Sequence, residues 1–369
     1  MTDSFVKAAA PPGAKTLEAQ WYTSPEIFTR EQEHVFAGSW IAVGREEQIR
    51  TAGDYFLAEL AGESLIVVRD SQGRPRAFYN VCRHRGTRLC TEPEGHLKNS
   101  IQCPYHAWTY GIDGALQVAR NMEGLPDFDR AEYPLREARL EPFEGFLFLS
   151  LDAIAPPFET TFAPLFGRFA AWHLAQLRVA RRIVYDVRAN WKLIFQNYSE
   201  CYHCPVIHPQ LERISPSESG RNDLTHGPFL GGFSLLREGT SLTLSGRSAR
   251  QPLGNVAGED LHRAYYYTLF PSLLLSLHPD YAMTHYVRPV AVDRTQIVCE
   301  WLFAPDEMAR EGFDAADAAE FWDLTNRQDW NINELAHAGL TSRAYTPGPY
   351  AQQEGLLAAF DRYYLSLMA

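Results

Sequence analysis

Two cysteines and two histidines, set in two short loops, constrain this chain more than any other feature. They are Cys82-Arg83-His84 and Cys103-Pro104-Tyr105-His106, a C-x-H loop followed after 18 residues by a C-x2-H loop. Two thiolates and two imidazoles can hold a tetrahedral zinc ion or a [2Fe–2S] cluster. Zinc modules usually pair like ligands on one loop, whereas here each loop carries one Cys and one His. The mixed arrangement suits a cluster gripped between two hairpin tips, with sulfur on one iron and neutral imidazole on the other. Short β-like runs at 64–69, 77–81 and 145–151 surround the loops, separated by turn signals at 70–73 and 111–114. Residues 40–151 therefore read as a small all-β domain. Cys90, between the loops, reads as a buried structural thiol.

A second constellation lies in the segment from Asn197 to His208, where Glu200, His203 and His208 stand close together. On an unbroken helix a five-residue step turns the second imidazole about 140° away from the first. Pro205 resolves this, because proline disrupts a helix and biases the residue before it away from the helical region. A break near Cys204 swings His208 back toward His203. Two neutral imidazoles and one carboxylate form the facial triad of non-haem Fe(II) oxygenases, with the third ligand coming from elsewhere in the chain. Two other readings stay open on these residues alone: structural histidines, and a thioredoxin-like or zinc role for Cys201-x2-Cys204.

After Pro156-Pro157 the texture changes. Residues 159–180 read as helical and 183–188 as a strand. Trp191, Ile194, Phe195 and Tyr198 recur at helical spacing. Alternation over 228–303 predicts an antiparallel sheet, and helices are predicted near 306–338 and 351–368. At the other end, Ser24 stands as an N-cap ahead of Pro25 and Glu26.

Both constellations sit in recognisable blocks. Cys82-Arg-His-Arg-Gly86 with Cys103-Pro-Tyr-His-Ala-Trp-Thr-Tyr110 closely resembles the Rieske box of ring-hydroxylating oxygenases, with Ala107 where the family usually carries Gly. Asn190-Trp-Lys-Leu193 through Glu200-Cys-Tyr-His-Cys-Pro and His208-Pro-Gln-Leu211 resembles the mononuclear-iron motif of the same family. The resemblance spans about residues 38 to 345. It implies an α+β chain: a segment 1–37 packing on the catalytic domain, an all-β Rieske [2Fe–2S] domain at 38–155, and a catalytic domain at 156–369. In the last, an antiparallel sheet of helix-grip type carries covering helices. It implies the cluster ligands Cys82, His84, Cys103 and His106, and mononuclear iron on His203, His208 and a carboxylate of a late helix. Asp329 fits that position better than Asp323. Glu200 takes the place of the usual aspartate, which links a triad histidine to a cluster histidine of the neighbouring chain. That would join His203 of one subunit to His106 of the next, and it requires a homotrimer.

The resemblance also implies O₂ as co-substrate and electrons from NAD(P)H. No Gly-rich dinucleotide fingerprint is present, so a separate flavin/iron–sulfur reductase is expected. Glu200 and the Glu-Cys-Tyr-His-Cys block look like the branch that oxidises quaternary ammonium compounds, such as betaines and carnitine. Tyr202 and Tyr265-Tyr266-Tyr267 are candidates for a cation–π cage, although at most two of the trio can share one face of a strand. Competing readings are hydroxylation of an aromatic acid, a Rieske electron carrier and a zinc-bound structural protein. The chain is expected in the cytoplasm: no apolar run approaches the ~20 residues of a membrane span, and the N-terminus carries no secretory pattern. A net charge of −11 argues against a nucleic-acid partner. Six cysteines are few for a disulfide framework in a chain of 369 residues.

Overall fold

The computed structural model describes residues 5–369, and counts of strands, pairs and partners are of those residues. The first four residues of the expected N-terminal segment lie outside them. The chain divides into two units: Gln32–Pro164, and the stretch up to Glu31 together with Leu165–Ala369. The divisions fall near 31 and 164 rather than 37 and 155, for reasons visible in the side chains. Glu31 is fully buried and accepts hydrogen bonds from Trp191 and Lys192 of the second unit. Phe158 and Phe162 stack on each other and pack against Phe143 and Phe148 of the first.

Helices α1 (Gln20–Thr23) and α2 (Pro25–Glu31) open the chain. The Ser24 Oγ accepts the Ile27 N–H at 3.2 Å, so Ser24 caps α2 as expected.

The first unit is built of β1 (Ile41–Arg45), β2 (Asp54–Leu60), β3 (Glu63–Arg69), β4 (Pro75–Tyr79), β5 (Glu94–His96), β6 (Ser100–Gln102), β7 (Thr109–Gly111), β8 (Leu116–Val118), β9 (Glu137–Phe143) and β10 (Phe146–Ser150). Seven of these strands form a sheet in the order β1-β10-β9-β4-β3-β2-β5, and β6-β7-β8 form a second, smaller one. β10 buries all five of its residues, which is why it reads as a continuous apolar run. The core that gathers Ile66, Phe78, Ile101, Trp108 and Tyr110 also holds Cys82 and Cys103. The two loops that carry these cysteines are therefore rooted in the core.

α3 (Phe158–Phe162) is short. The helix expected over 159–180 gives way to three single 3₁₀ turns, and β11 already begins at Arg178. Pro164, which has no N–H to donate, and Gly167, at φ +77°, interrupt the run.

The second unit pairs β11 (Arg178–Val187), β12 (Arg221–His226), β13 (Phe229–Leu235), β14 (Arg263–Leu269), β15 (Leu273–Leu277), β16 (Ala282–Ala291) and β17 (Arg294–Phe303). The sheet is antiparallel throughout, in the order β11-β17-β16-β15-β14-β13-β12. Its helices are α4 (Trp191–Tyr198), α5 (Cys204–Ile207), α6 (Pro209–Ile214), α7 (Pro305–Met308), α8 (Ala316–Leu340) and α9 (Gly355–Met368). α8 lies on the sheet through polar pairs as well as apolar ones. The Trp322 indole donates to Tyr281 Oη at 2.7 Å, and Asn326 Oδ1 is 3.1 Å from His285 Nε2. No helix among the described residues is long and apolar enough to cross a membrane.

Candidate metal centres

The two loops of the first unit are built alike. Gly86 N–H donates to the Cys82 carbonyl at 3.0 Å, and Ala107 N–H donates to the Cys103 carbonyl at 3.1 Å. Each closing residue lies in the left-handed region, Gly86 at φ +74° and Ala107 at +58°. Each loop thus turns back four residues after its cysteine and directs its histidine beside the other. The His84 and His106 rings are 4.8 Å apart, and His84 stacks on Trp108 at 4.8 Å. Tyr110 Oη accepts the Arg83 N–H at 3.0 Å, which leaves its own proton to donate to Cys82 Sγ at 3.3 Å.

The donor chemistry fits a cluster. Both cysteines are buried and free. Burial, with Cys103 beside it, raises the Cys82 thiol, and two such thiols side by side are a situation that bound iron relieves. The His106 Nδ1 is buried with no hydrogen-bond partner among the described residues, as a nitrogen reserved for a metal would be. Burial, followed by His106 and Arg85, lowers the proton affinity of His84 and favours the neutral ligand form. Cys90 is free and buried in the same core, with burial raising its thiol to about 11.

In the second unit the helix break lies earlier than Pro205 suggests. Asn190 caps α4 by accepting the Lys192 N–H, and α4 stops at Tyr198. Pro205 then stands in the first turn of α5, where its missing N–H costs nothing. The single turn of α5 separates the two histidines, His203 before it and His208 after it, and their Nε2 atoms are 3.2 Å apart. Asp329 reaches them from α8, its Oδ1 lying 2.8 Å from His208 Nε2 and 3.3 Å from His203 Nε2. One ligand atom from each of the three falls within 4.8 Å of the others. Asp323 is engaged elsewhere, accepting from Tyr185 at 2.8 Å and Arg327 at 2.9 Å.

Electrostatics mark the place where a cation belongs. Burial alone would raise the Asp329 carboxyl, but hydrogen bonds from His203 and His208 hold it below the usual range. Burial works against a proton on His203, yet Asp329 and Glu200 outweigh it and lift that imidazole to about 10. Glu200 Oε1 sits 2.6 Å from His203 Nδ1, fixing the ring from behind. Cys201 and Cys204 bracket His203 as a disulfide with Cα atoms 4.9 Å apart, the one such bond among the described residues. They contribute no atom to the triad.

A cavity of about 220 Å³ opens beside His203, His208 and Asp329, walled in part by Tyr198, Tyr266 and Trp322. The Tyr198 and Tyr266 rings are 6.1 Å apart, and those of Tyr266 and Trp322 are 6.2 Å apart. Tyr198 Oη pairs with Ser276 at 2.8 Å and the Trp322 N–H is taken by Tyr281, so both offer the cavity ring surface rather than a polar end. Of the tyrosine trio only Tyr266 lines the cavity, while Tyr265 and Tyr267 stack on each other 6.2 Å apart. Tyr202 lines it too and is 59% exposed. Tyr198 had been legible only as part of an apolar helix stripe, and nothing in the sequence marked Trp322.

Residues 39–129 match the Rieske [2Fe–2S] domain, and residues 174–369 match the ring-hydroxylating α subunit (catalytic domain). The chain belongs to the Rieske-type ring-hydroxylating oxygenase α subunits, enzymes that join such a cluster to a non-haem iron catalytic domain. Within that family it is 34% identical to the carnitine monooxygenase oxygenase subunit of Escherichia coli, over 91% of this chain and 87% of that one. It is 31% identical to the glycine betaine monooxygenase oxygenase subunit of Chromohalobacter salexigens, over 95% and 85%. Among solved structures it resembles the quaternary ammonium Rieske monooxygenase CntA, with a TM-score of 0.81, 27% identity and coverage of 96% and 95%. CntA has also been solved in complex with L-carnitine.

Proposed function

We propose that this chain is the cytoplasmic oxygenase component of a system that hydroxylates a quaternary ammonium compound at an N-methyl group or an adjacent carbon. A separate reductase delivers the electrons. A hydroxylated N-methyl group then leaves as formaldehyde with the demethylated amine, whereas a hydroxylated chain carbon leaves as the chain aldehyde with the tertiary amine released intact. The observation that carries the reading is the wall of Tyr198, Tyr266 and Trp322 beside the His203/His208/Asp329 triad. A tetra-alkyl cation has no N–H to donate, so ring faces are its natural partners.

Cys82, His84, Cys103 and His106 are assigned to the [2Fe–2S] cluster, and His203, His208 and Asp329 to the mononuclear iron. When bound, the cluster supplies single electrons and the ferrous ion supplies the position at which O₂ is reduced. The protein's own residues do the rest. The three rings orient the ammonium group, and Glu200 holds the His203 N–H. Glu200 also serves as the link to His106 of a neighbouring copy in a homotrimer. Its support is that Tyr202 and Val206 beside it are 59% and 80% exposed, and that Tyr105 beside His106 is 57% exposed.

The test is product analysis with reductase, NAD(P)H and O₂ across carnitine, betaines and aromatic acids. An aldehyde is expected from a betaine or carnitine, together with either the demethylated amine or the released tertiary amine according to the carbon hydroxylated. Turnover of aromatic acids alone would overturn the reading.

A further inference from the structure

His208 is held from two sides by consecutive residues of α8. Its Nε2 faces the point where Asp329 Oδ1 and His203 Nε2 converge. Its Nδ1 lies 2.8 Å from Gln328 Oε1. An imidazole whose Nε2 lone pair is turned to a metal must carry its proton on Nδ1, and that proton needs an acceptor. Gln328 supplies one only if its amide oxygen, not its nitrogen, faces the ring. Gln210 is placed to match that orientation: its Nε2 donates to the same Gln328 Oε1 at 3.0 Å. An amide nitrogen has no lone pair for that role. His208 is 1% exposed, so bulk water does not replace the acceptor.

We infer that Gln328, oriented by Gln210, is a positioning residue that fixes His208 as the Nδ1-protonated tautomer with Nε2 open to the metal. The inference rests on the assignment of His203, His208 and Asp329 as iron ligands. It also explains an asymmetry of the site. His203 is backed by a carboxylate, Glu200, and His208 by a neutral amide. A ferrous ion with Asp329 and Glu200 is formally neutral. A third carboxylate at position 328 would bring the site to a net negative charge and favour the ferric state. A neutral acceptor holds the ring without that bias.

The test reads iron binding rather than turnover. Apo-protein is titrated with Fe(II) against a chelator, and the Fe(II)–nitrosyl complex is recorded by electron paramagnetic resonance. The visible spectrum of the cluster reports that the fold is intact. Gln328→Leu is expected to weaken Fe(II) binding by about 10–100-fold and to change the nitrosyl signal. Gln328→Glu, which restores an acceptor, is expected to hold Fe(II) near the wild-type level with a lower iron reduction potential. Gln210→Leu, which frees the amide without touching α8, is expected to fall between. Wild-type affinity and an unchanged nitrosyl signal in Gln328→Leu, with iron lost in Asp329→Ala, would overturn the inference alone. Retention of iron in both Asp329→Ala and His208→Ala would overturn the ligand assignment beneath it. Should Gln328→Leu fail to fold, Gln328→Glu decides: loss of iron there with a normal cluster spectrum defeats the proposal.

Discussion

Gly86 and Ala107 occupy equivalent places, each closing a ligand loop through the carbonyl of its cysteine, yet only one is suited to its backbone. At φ +58° the Ala107 methyl is crowded against its own peptide, which glycine avoids. Ala107→Gly is therefore expected to stabilise the cluster-loaded protein by about 0.5–1 kcal/mol, read as a higher denaturant midpoint for loss of the visible spectrum. An unchanged or lower midpoint would show that the loop relaxes without cost. Tyr110 is the other residue with a local consequence. Its hydroxyl donates to Cys82 Sγ, and a hydrogen bond to a ligand sulfur stabilises the more electron-rich, reduced cluster. Tyr110→Phe should lower the cluster potential by several tens of millivolts in a spectroscopic redox titration, while the cluster stays in place. At this scale the sequence was most readable where a residue type is itself the chemistry. Cys, His and Asp announce ligands, and the spacing of 203 and 208 only needed a turn to make sense. Gln328, Tyr198 and Trp322 were not readable, because Gln, Tyr and Trp on helices are ordinary and only their partners in the fold, His208 and Gln210, Ser276, and Tyr281, give them a task.

Elements are held by a buried polar network that hydropathy cannot reveal. Glu31 at the end of α2 accepts from Lys192 and Trp191 of α4 and from Tyr364 of α9. Burial lowers the Lys192 ammonium to about 8, with Glu31 the chief influence against it. Glu31→Gln leaves that ammonium without its counter-charge, at an expected cost of about 3 kcal/mol. A differential scan would show this as a markedly lower melting temperature, and a shift of only a degree or two would mean the pair is dispensable. Asp361 of α9 accepts from Gln196 and Tyr350 at 2.8 and 2.7 Å. Burial raises its carboxyl to about 6. A carboxyl whose folded value lies above its unfolded value destabilises the protein when ionised, so its penalty is absent below about pH 4 and complete above about pH 6. Asp361→Asn should therefore be more stable than wild type at pH 8, by at most about 3 kcal/mol, with the advantage fading toward pH 4. A pH-independent difference in denaturant midpoints would contradict this. The pattern-based readings behaved as physics suggests. Strands with continuous apolar runs and the long helix α8 were legible, whereas the 159–180 stretch was not. There, buried Phe, Leu and Trp imitate a helix while Pro164 and Gly167 prevent one.

At the scale of the whole molecule, the proposed function requires two copies to share one reaction. Glu200 reaches His203 of its own chain, and its proposed second partner is His106 of another. If so, a chain that has lost its cluster and a chain that has lost its iron are each inactive alone but complement one another when mixed. His84→Ala removes a proposed cluster ligand and Asp329→Ala a proposed iron ligand, in separate units of the fold. In a closed ring of three, each directed contact joins a cluster-bearing donor to an iron-bearing acceptor in about a quarter of random pairings. Co-expressed variants should therefore regain about a quarter of wild-type turnover, while the same proteins purified separately and mixed without exchange regain none. Adding Glu200→Ala to the His84→Ala chain should abolish the recovery, because that chain carries the functional His203 side of the contact. Adding it to the Asp329→Ala chain should leave recovery unchanged, because there Glu200 serves a triad that no longer holds iron. That asymmetry separates a link across the boundary from a general need for Glu200 in folding. Equal loss from both placements would refute the inter-subunit route, and full activity of either single variant would refute the assignment of its metal.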